Sequence, residues 1–217
     1  QEVRVMLRMK GLIGLGAVLA VGLFLTGTVL SQDKDKAGDQ GAPEMSPEMQ
    51  KAMQQWIEAG TPGPNHERLA KCAGKYTAAC KTWMAPDGPA LESVGSCEMK
   101  PMYDGRYLIS HFKGDWMGKP FEGVSFEGYD NMRKEYVSIW LDSMSTGIMY
   151  QTGQPSKDGK SITYTGTCAC PETGELNKPC KTVIRYESDD RLVMDMYENV
   201  GKSDEFKMME ITYTRQK

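Results

Sequence analysis

Residues 105–150 read GRYLISHFKGDWMGKPFEGVSFEGYDNMRKEYVSIWLDSMSTGIMY. Short aromatic and β-branched runs there are cut at near-regular intervals by Gly, Pro, Asp and Asn, the pattern of an up-and-down β-meander. Outward from that stretch the same alternation continues, with strands expected near 75–84, 91–99, 106–112, 121–128, 135–142, 148–153, 161–167, 181–187, 191–198 and 205–215. PDGP at Pro86, SKDGK at Ser156, ETGE at Glu172 and SDD at Ser188 place Asp or Gly where tight reversals need unusual dihedrals. No segment between strands holds the dozen or so helical residues that a parallel crossover requires. The expectation is a mainly β, antiparallel, up-and-down barrel of about ten strands with one or two short N-terminal helices.

The 217 residues carry 26 basic and 29 acidic side chains and a formal net charge of -3, spread along the chain. One barrel domain over 65–217 accounts for most of that length. Without a basic stripe, no nucleic-acid partner is expected. The N-terminus departs from this mixture, because Arg4, Arg8 and Lys10 precede an uncharged run over 11–30 and then the polar SQDKDKAGDQ. Residues 1–31 read as an export signal cut after Ser31, with Val29 and Ser31 giving the small-residue spacing. The alternative is an uncleaved anchor, since about 20 apolar residues span a bilayer, and that is the one membrane contact expected. The protein is therefore expected to be exported, periplasmic or secreted.

Residues 32–44 have almost no apolar content and read as a flexible linker. Over 45–64, Ser46 and Pro47 start an amphipathic helix whose Met49, Met53, Trp56 and Ile57 share one face. That face is expected to dock on the barrel. A second helix is expected from Asn65, as N-cap, to Ala73, with Leu69 facing inward and Gly74 as terminator. It would close one end.

The segments HERLAKCAGKYTAAC, the 105–150 stretch, SKDGKSITYTG and DEFKMMEITYTR together resemble the bacterial family called domain of unknown function fifteen-seventy-nine. The resemblance covers roughly 65–217 and implies a lipocalin-like (calycin) barrel, often exported, without an established activity or catalytic residues. The Cys residues of CACPETGELNKPC depart from the family pattern.

Six cysteines in an exported chain point to disulfides. With the first hairpin turning at Pro86 to Pro89, Cys80 faces Cys97, and Cys168 faces Cys180 about Thr173 and Gly174. Cys72 and Cys170 make the third pair. The competing reading takes Cys168, Cys170 and Cys180 as metal ligands, with Cys72 or His66 as the fourth.

Sixteen Met residues suggest a flexible apolar lining. Met194 and Met196 alternate along one strand, and Met209 shares a face with Ile211 and Tyr213. Trp140, Asp142, Met144, Arg185, Glu210, Tyr213 and Arg215 complete the candidate ligand-binding set, with Tyr213 and Arg215 spaced like a carboxylate clamp. The chain has two histidines, His66 and His111, and lacks the G-x-S-x-G, Walker and H-E-x-x-H motifs. A non-enzymatic reading follows, with no cofactor expected. A haem would require His66 or His111 to face inward. The function expected is binding of a small apolar or amphipathic molecule. A filled barrel acting as an interaction module of the cell envelope, with its protein partner unknown, and a metal- or haem-binding protein using the three thiols or His111 are the alternatives.

Overall fold

Alternating inward and outward side chains, broken by turn residues, build consecutive strands through most of the chain. The computed structural model describes residues 45–217, so the export signal and linker expected over 1–44 lie outside the described residues. Helices α1 (Pro47–Gly60) and α2 (Pro64–Ala70) lead into β1 (Gly74–Thr82), β2 (Leu91–Met102), β3 (Tyr107–Trp116), β4 (Lys119–Asp130) and β5 (Glu135–Asp142). The chain continues as β6 (Met149–Pro155), β7 (Ser161–Cys170), β8 (Glu175–Ser188), β9 (Arg191–Glu198) and β10 (Phe206–Arg215). Each strand pairs with its sequence neighbours, and β1 pairs with β10, closing a ten-stranded antiparallel barrel. Every reversal anticipated from turn residues falls between two strands. The shortest connections, Met117–Gly118 and Asp189–Asp190, hold two residues each, and the positive φ values of 52° and 80° in the first suit a two-residue hairpin. No described helix is long and apolar enough to cross a membrane.

Up-and-down order places the start of β1 and the end of β10 at one end of the barrel, and α2 plugs that end. Leu69, 1% exposed, and His66 are its buried residues. Asn65 is not the N-cap: Gly63 takes that position, and the Asn65 Oδ1 accepts a hydrogen bond from the Tyr136 hydroxyl at 2.9 Å. The helix ends at Ala70, short of the expected Ala73. His66 Nδ1 accepts the Gly63 N–H at 3.0 Å, and its ring meets Tyr129 edge-on at 5.8 Å. Arg215 laces the same end together. Its guanidinium donates to the carbonyls of Lys71, Ala73 and Asp189 and lies 4.9 Å over the Tyr76 ring. Gly74 makes this possible, because a Cβ there would lie 2.2 Å from the guanidinium Nη1.

The apolar stripe of α1 does not dock as expected. Met49, Trp56 and Ile57 are exposed, and no residue of α1 is buried. Polar contacts hold its C-terminal end instead: Asn131 Nδ2 donates to the carbonyls of Ala59 and Thr61 at 3.0 and 2.8 Å, and Arg106 Nε donates to that of Gly60 at 3.1 Å. Hydrophobic spacing gives a helix its face, but a partner surface must be within reach to cover it.

Leu69→Ala is expected to lower unfolding stability by about 2–5 kcal/mol through the cavity it leaves. Trp56→Ala is expected to change it by about 0.5 kcal/mol or less, as at other surface sites. Urea denaturation of both variants checks this, and a large loss at Trp56 would contradict the uncovered helix face.

Candidate functional site

Ten strands make a wider barrel than eight, and the inward side chains do not fill this one. A cavity of about 220 Å³ runs from Cys72, near the α2 plug, to Thr82 and the exposed Asp115 at the opposite mouth. Its mouth-side wall is aromatic and thioether-rich. Phe121 stacks on Trp140 at 6.3 Å and meets Phe112 edge-on at 5.9 Å, while Met194, Met196 and Met209 approach from β9 and β10. Gly123 is needed for this packing, since a Cβ there would lie 2.3 Å from the Trp140 ring. Loops at the mouth carry further exposed apolar side chains, among them Met84, Met117, Ile148 and Leu176.

The deep half is different. Glu127 on β4 lines the cavity, cross-strand from Leu108 and Ser138. Among the described residues its carboxyl has no hydrogen-bond or ion-pair partner. It keeps some accessible surface, but that surface lies on the cavity, and burial alone pushes its carboxyl up from 4.5 to about 7. Nearby, the Tyr164 hydroxyl is buried and also without a partner. Burial first, and then the Glu127 carboxylate, push that hydroxyl well above its ordinary value. Buried polar groups are nearly always satisfied, so two unsatisfied ones on one cavity mark a place where something else bonds.

Sequence reading passed over Glu127. In FEGVSFEGY the bulky Val124 and Phe126 suggest an inward face, yet Phe121, Gly123, Ser125, Glu127 and Tyr129 have the inward parity. The signal available was Phe121 and Tyr129 at the two ends of that alternation.

Of the expected ligand-binding residues, Trp140, Met194, Met196 and Tyr213 line the cavity. Asp142 caps the β5–β6 turn, accepting the Trp140 indole N–H at 2.9 Å and the Met144 and Ser145 amides at 2.9 Å. Met144 is exposed beside it. Arg185 and Glu210 point outward, because each alternates with cavity-lining neighbours. On that outer face Asp195, only 1% exposed, pairs with Arg185 and with Lys207, and Lys207 also pairs with Glu210. Arg215 is occupied at the plugged end, so the Tyr213–Arg215 clamp does not form.

All six cysteines are free thiols. The expected Cys80–Cys97 bridge fails on register: Cys80 faces Ser93, and Cys97 faces Tyr76. Cys72 and Cys170 lie at opposite ends of the barrel, which excludes that pair. Cys168 faces Lys178 and Cys180 faces Gly166, so the two are diagonal neighbours. Burial and then the adjacent Cys168 push the Cys180 thiol up to about 11. Among the described residues no three His, Cys, Asp or Glu side chains form a metal-ligand group. His111 is exposed on β3, and His66 is buried on α2 with its Nδ1 on the Gly63 amide; neither lines the cavity.

A family model described as "Protein of unknown function (DUF1579)" matches residues 61–215. No curated protein matches the chain. Among solved structures, that of Rv2717c from M. tuberculosis is similar with a TM-score of 0.52 and 15% identity, over 72% of this chain and 100% of that one. At that identity the likeness is one of fold.

Folding moves the Glu127 carboxyl from 4.5 to about 7. An acid raised in this way favours the native state while protonated and loses that contribution as pH climbs from the unfolded to the folded value. The stability of the wild type relative to Glu127→Gln is therefore expected to fall by roughly 3 kcal/mol between about pH 4 and pH 8. Chemical denaturation across that range reads the difference, and a constant difference contradicts a buried, unpaired carboxyl.

Proposed function

The chain belongs to the DUF1579 family of proteins of unknown function, and we propose that its barrel binds a small apolar or amphipathic molecule. The cavity carries this reading. At about 220 Å³ it exceeds the roughly 150 Å³ that admits benzene to an apolar protein interior. It falls below the roughly 300 Å³ where drug-sized pockets begin, so it suits a single-ring or short-chain body. Thioethers of Met194, Met196 and Met209 adapt to irregular shapes without demanding hydrogen bonds. The apolar side chains around the mouth favour the entry of such a body. Export remains part of the proposal on the strength of residues 4–31 alone, and in an oxidising compartment Cys168 and Cys180 are the neighbours placed to bridge.

Toluene is the matching probe. Titration is expected to perturb Trp140 emission and the methyl resonances of Met194, Met196 and Met209 saturably. Ser125→Phe, which fills the cavity from β4, is expected to weaken binding by about tenfold or more, as loss of a buried ring contact implies. A flat response from the folded wild type would contradict the proposal and favour a barrel that serves only as an interaction module.

A further inference from the structure

We propose that the ligand is a small amphipathic amine, inserted head first, with its ammonium on Glu127 and its apolar body against the Phe121 and Trp140 rings nearer the mouth. This rests on the cavity being a binding site, and it adds the sign and the depth of the ligand's polar end.

The polarity of the cavity is graded along its length. Phe121, Trp140, Met196 and Met209 occupy the mouth half, with Thr82 and the exposed Asp115 at its rim, and Glu127, Tyr164, Tyr186 and Tyr213 the enclosed deep half. A carboxylate enclosed without a cation is costly, and protein interiors ordinarily pair such groups. The basic side chains nearest the deep end are committed elsewhere. Arg215 bonds the carbonyls of Lys71, Ala73 and Asp189. Arg68 lies 4.2 Å over the Tyr186 ring. Burial is the sole cause acting on the Glu127 carboxyl, so neither cation offsets it. The missing positive charge is left for the ligand.

An ammonium matches the rest of the deep end. It carries three donors and no acceptor. The Glu127 carboxylate and the unpartnered Tyr164 hydroxyl can accept two of them. A fatty-acid-like ligand, by contrast, would bring its carboxylate beside Glu127, and like charges in such a site repel. The clamp of tyrosine and arginine that would have welcomed an anion is absent here.

Binding should follow the ionisation of Glu127, because the ammonium needs the carboxylate form. The other titratable groups that feel Glu127 are Cys72, after α2, Cys97 on β2, Tyr164 on β7, Tyr186 on β8 and Tyr213 on β10. Burial holds Cys72 and Cys97 up at about 12 and the three tyrosines well above their ordinary value, so none of them changes charge near neutral pH. Tyr76 on β1 is likewise raised to about 12. Ser138 on β5, Leu108 on β3, Gln151 on β6 and Leu192 on β9 bring no charge. Alkylammonium groups stay protonated to roughly pH 10, as lysine does.

The test uses the 217-residue chain and three probes of one shape: 2-phenylethylamine, neutral propylbenzene and anionic 3-phenylpropionate. Calorimetry or ligand-observed NMR at pH 8 should find the amine bound about tenfold or more tighter than propylbenzene, as a charge-assisted hydrogen bond implies, and 3-phenylpropionate weakest. Glu127→Gln should erase the preference while propylbenzene still binds. In the wild type, amine affinity should rise by about tenfold from pH 6 to pH 8 with little change for propylbenzene, a readout that stands even where the variant does not fold. Equal binding of all three probes, tighter binding of the anion, an amine preference that survives Glu127→Gln, or an amine affinity flat with pH would each overturn the amine assignment and leave the apolar-ligand reading standing. Failure of all three probes to bind would overturn both.

Discussion

The pairing of β1 with β10 is the constraint on which everything else depends. It runs from Tyr76 opposite Arg215 to Thr82 opposite Met209 and leaves the sheet without a free edge. Closure fixes which half of each strand's side chains meets the interior, and a ten-strand circumference sets that interior wider than its side chains fill. The cavity is thus a geometric result of strand number before it is a matter of any one residue. The open ends then need separate treatment. Helix α2, Arg215 and the Tyr136–Asn65 hydrogen bond seal one end, and the other is left as a mouth.

Within that frame the interior is organised by depth. Aromatic and thioether groups dominate the wall near the mouth, and the deep half concentrates tyrosines around one carboxyl. Asp195, buried on the outer face, has Arg185 and Lys207 against it. The contrast between two enclosed acids, one with two cations and one with none, separates a structural ionic cluster from a site with an unmet requirement. At Glu127 the requirement is met in the free protein by a proton, which is why the carboxyl titrates near neutrality.

The barrel was legible in the sequence because its signals are local: alternation within strands, and Gly, Asp and Pro at the reversals. The ten expected strands all form, and DUF1579 membership agrees with the resemblance carried by residues 65–217. What failed depends on contacts across strands. Cys80 and Cys97 are four positions out of register, since Cys80 faces Ser93. Arg185 and Glu210 fell on the outer face because their apolar neighbours claimed the inner one. In the middle of β4 the large apolar residues nearest Glu127, Val124 and Phe126, have outward parity, which hid Glu127 from any reading that equates large apolar side chains with the core. The stripe of α1 was equally visible, yet its Trp56 and Ile57 stay exposed, because periodicity describes a face and not its partner.

The most direct measurement of the central claim is the side-chain carboxyl carbon shift of Glu127, followed by NMR through a pH titration of the ligand-free protein and assigned with Glu127→Gln. A midpoint near 7 is expected of a carboxyl enclosed on the cavity wall without a cation. A midpoint near the ordinary 4.5 would mean that the group is solvated or paired, and would contradict the account of the barrel's interior.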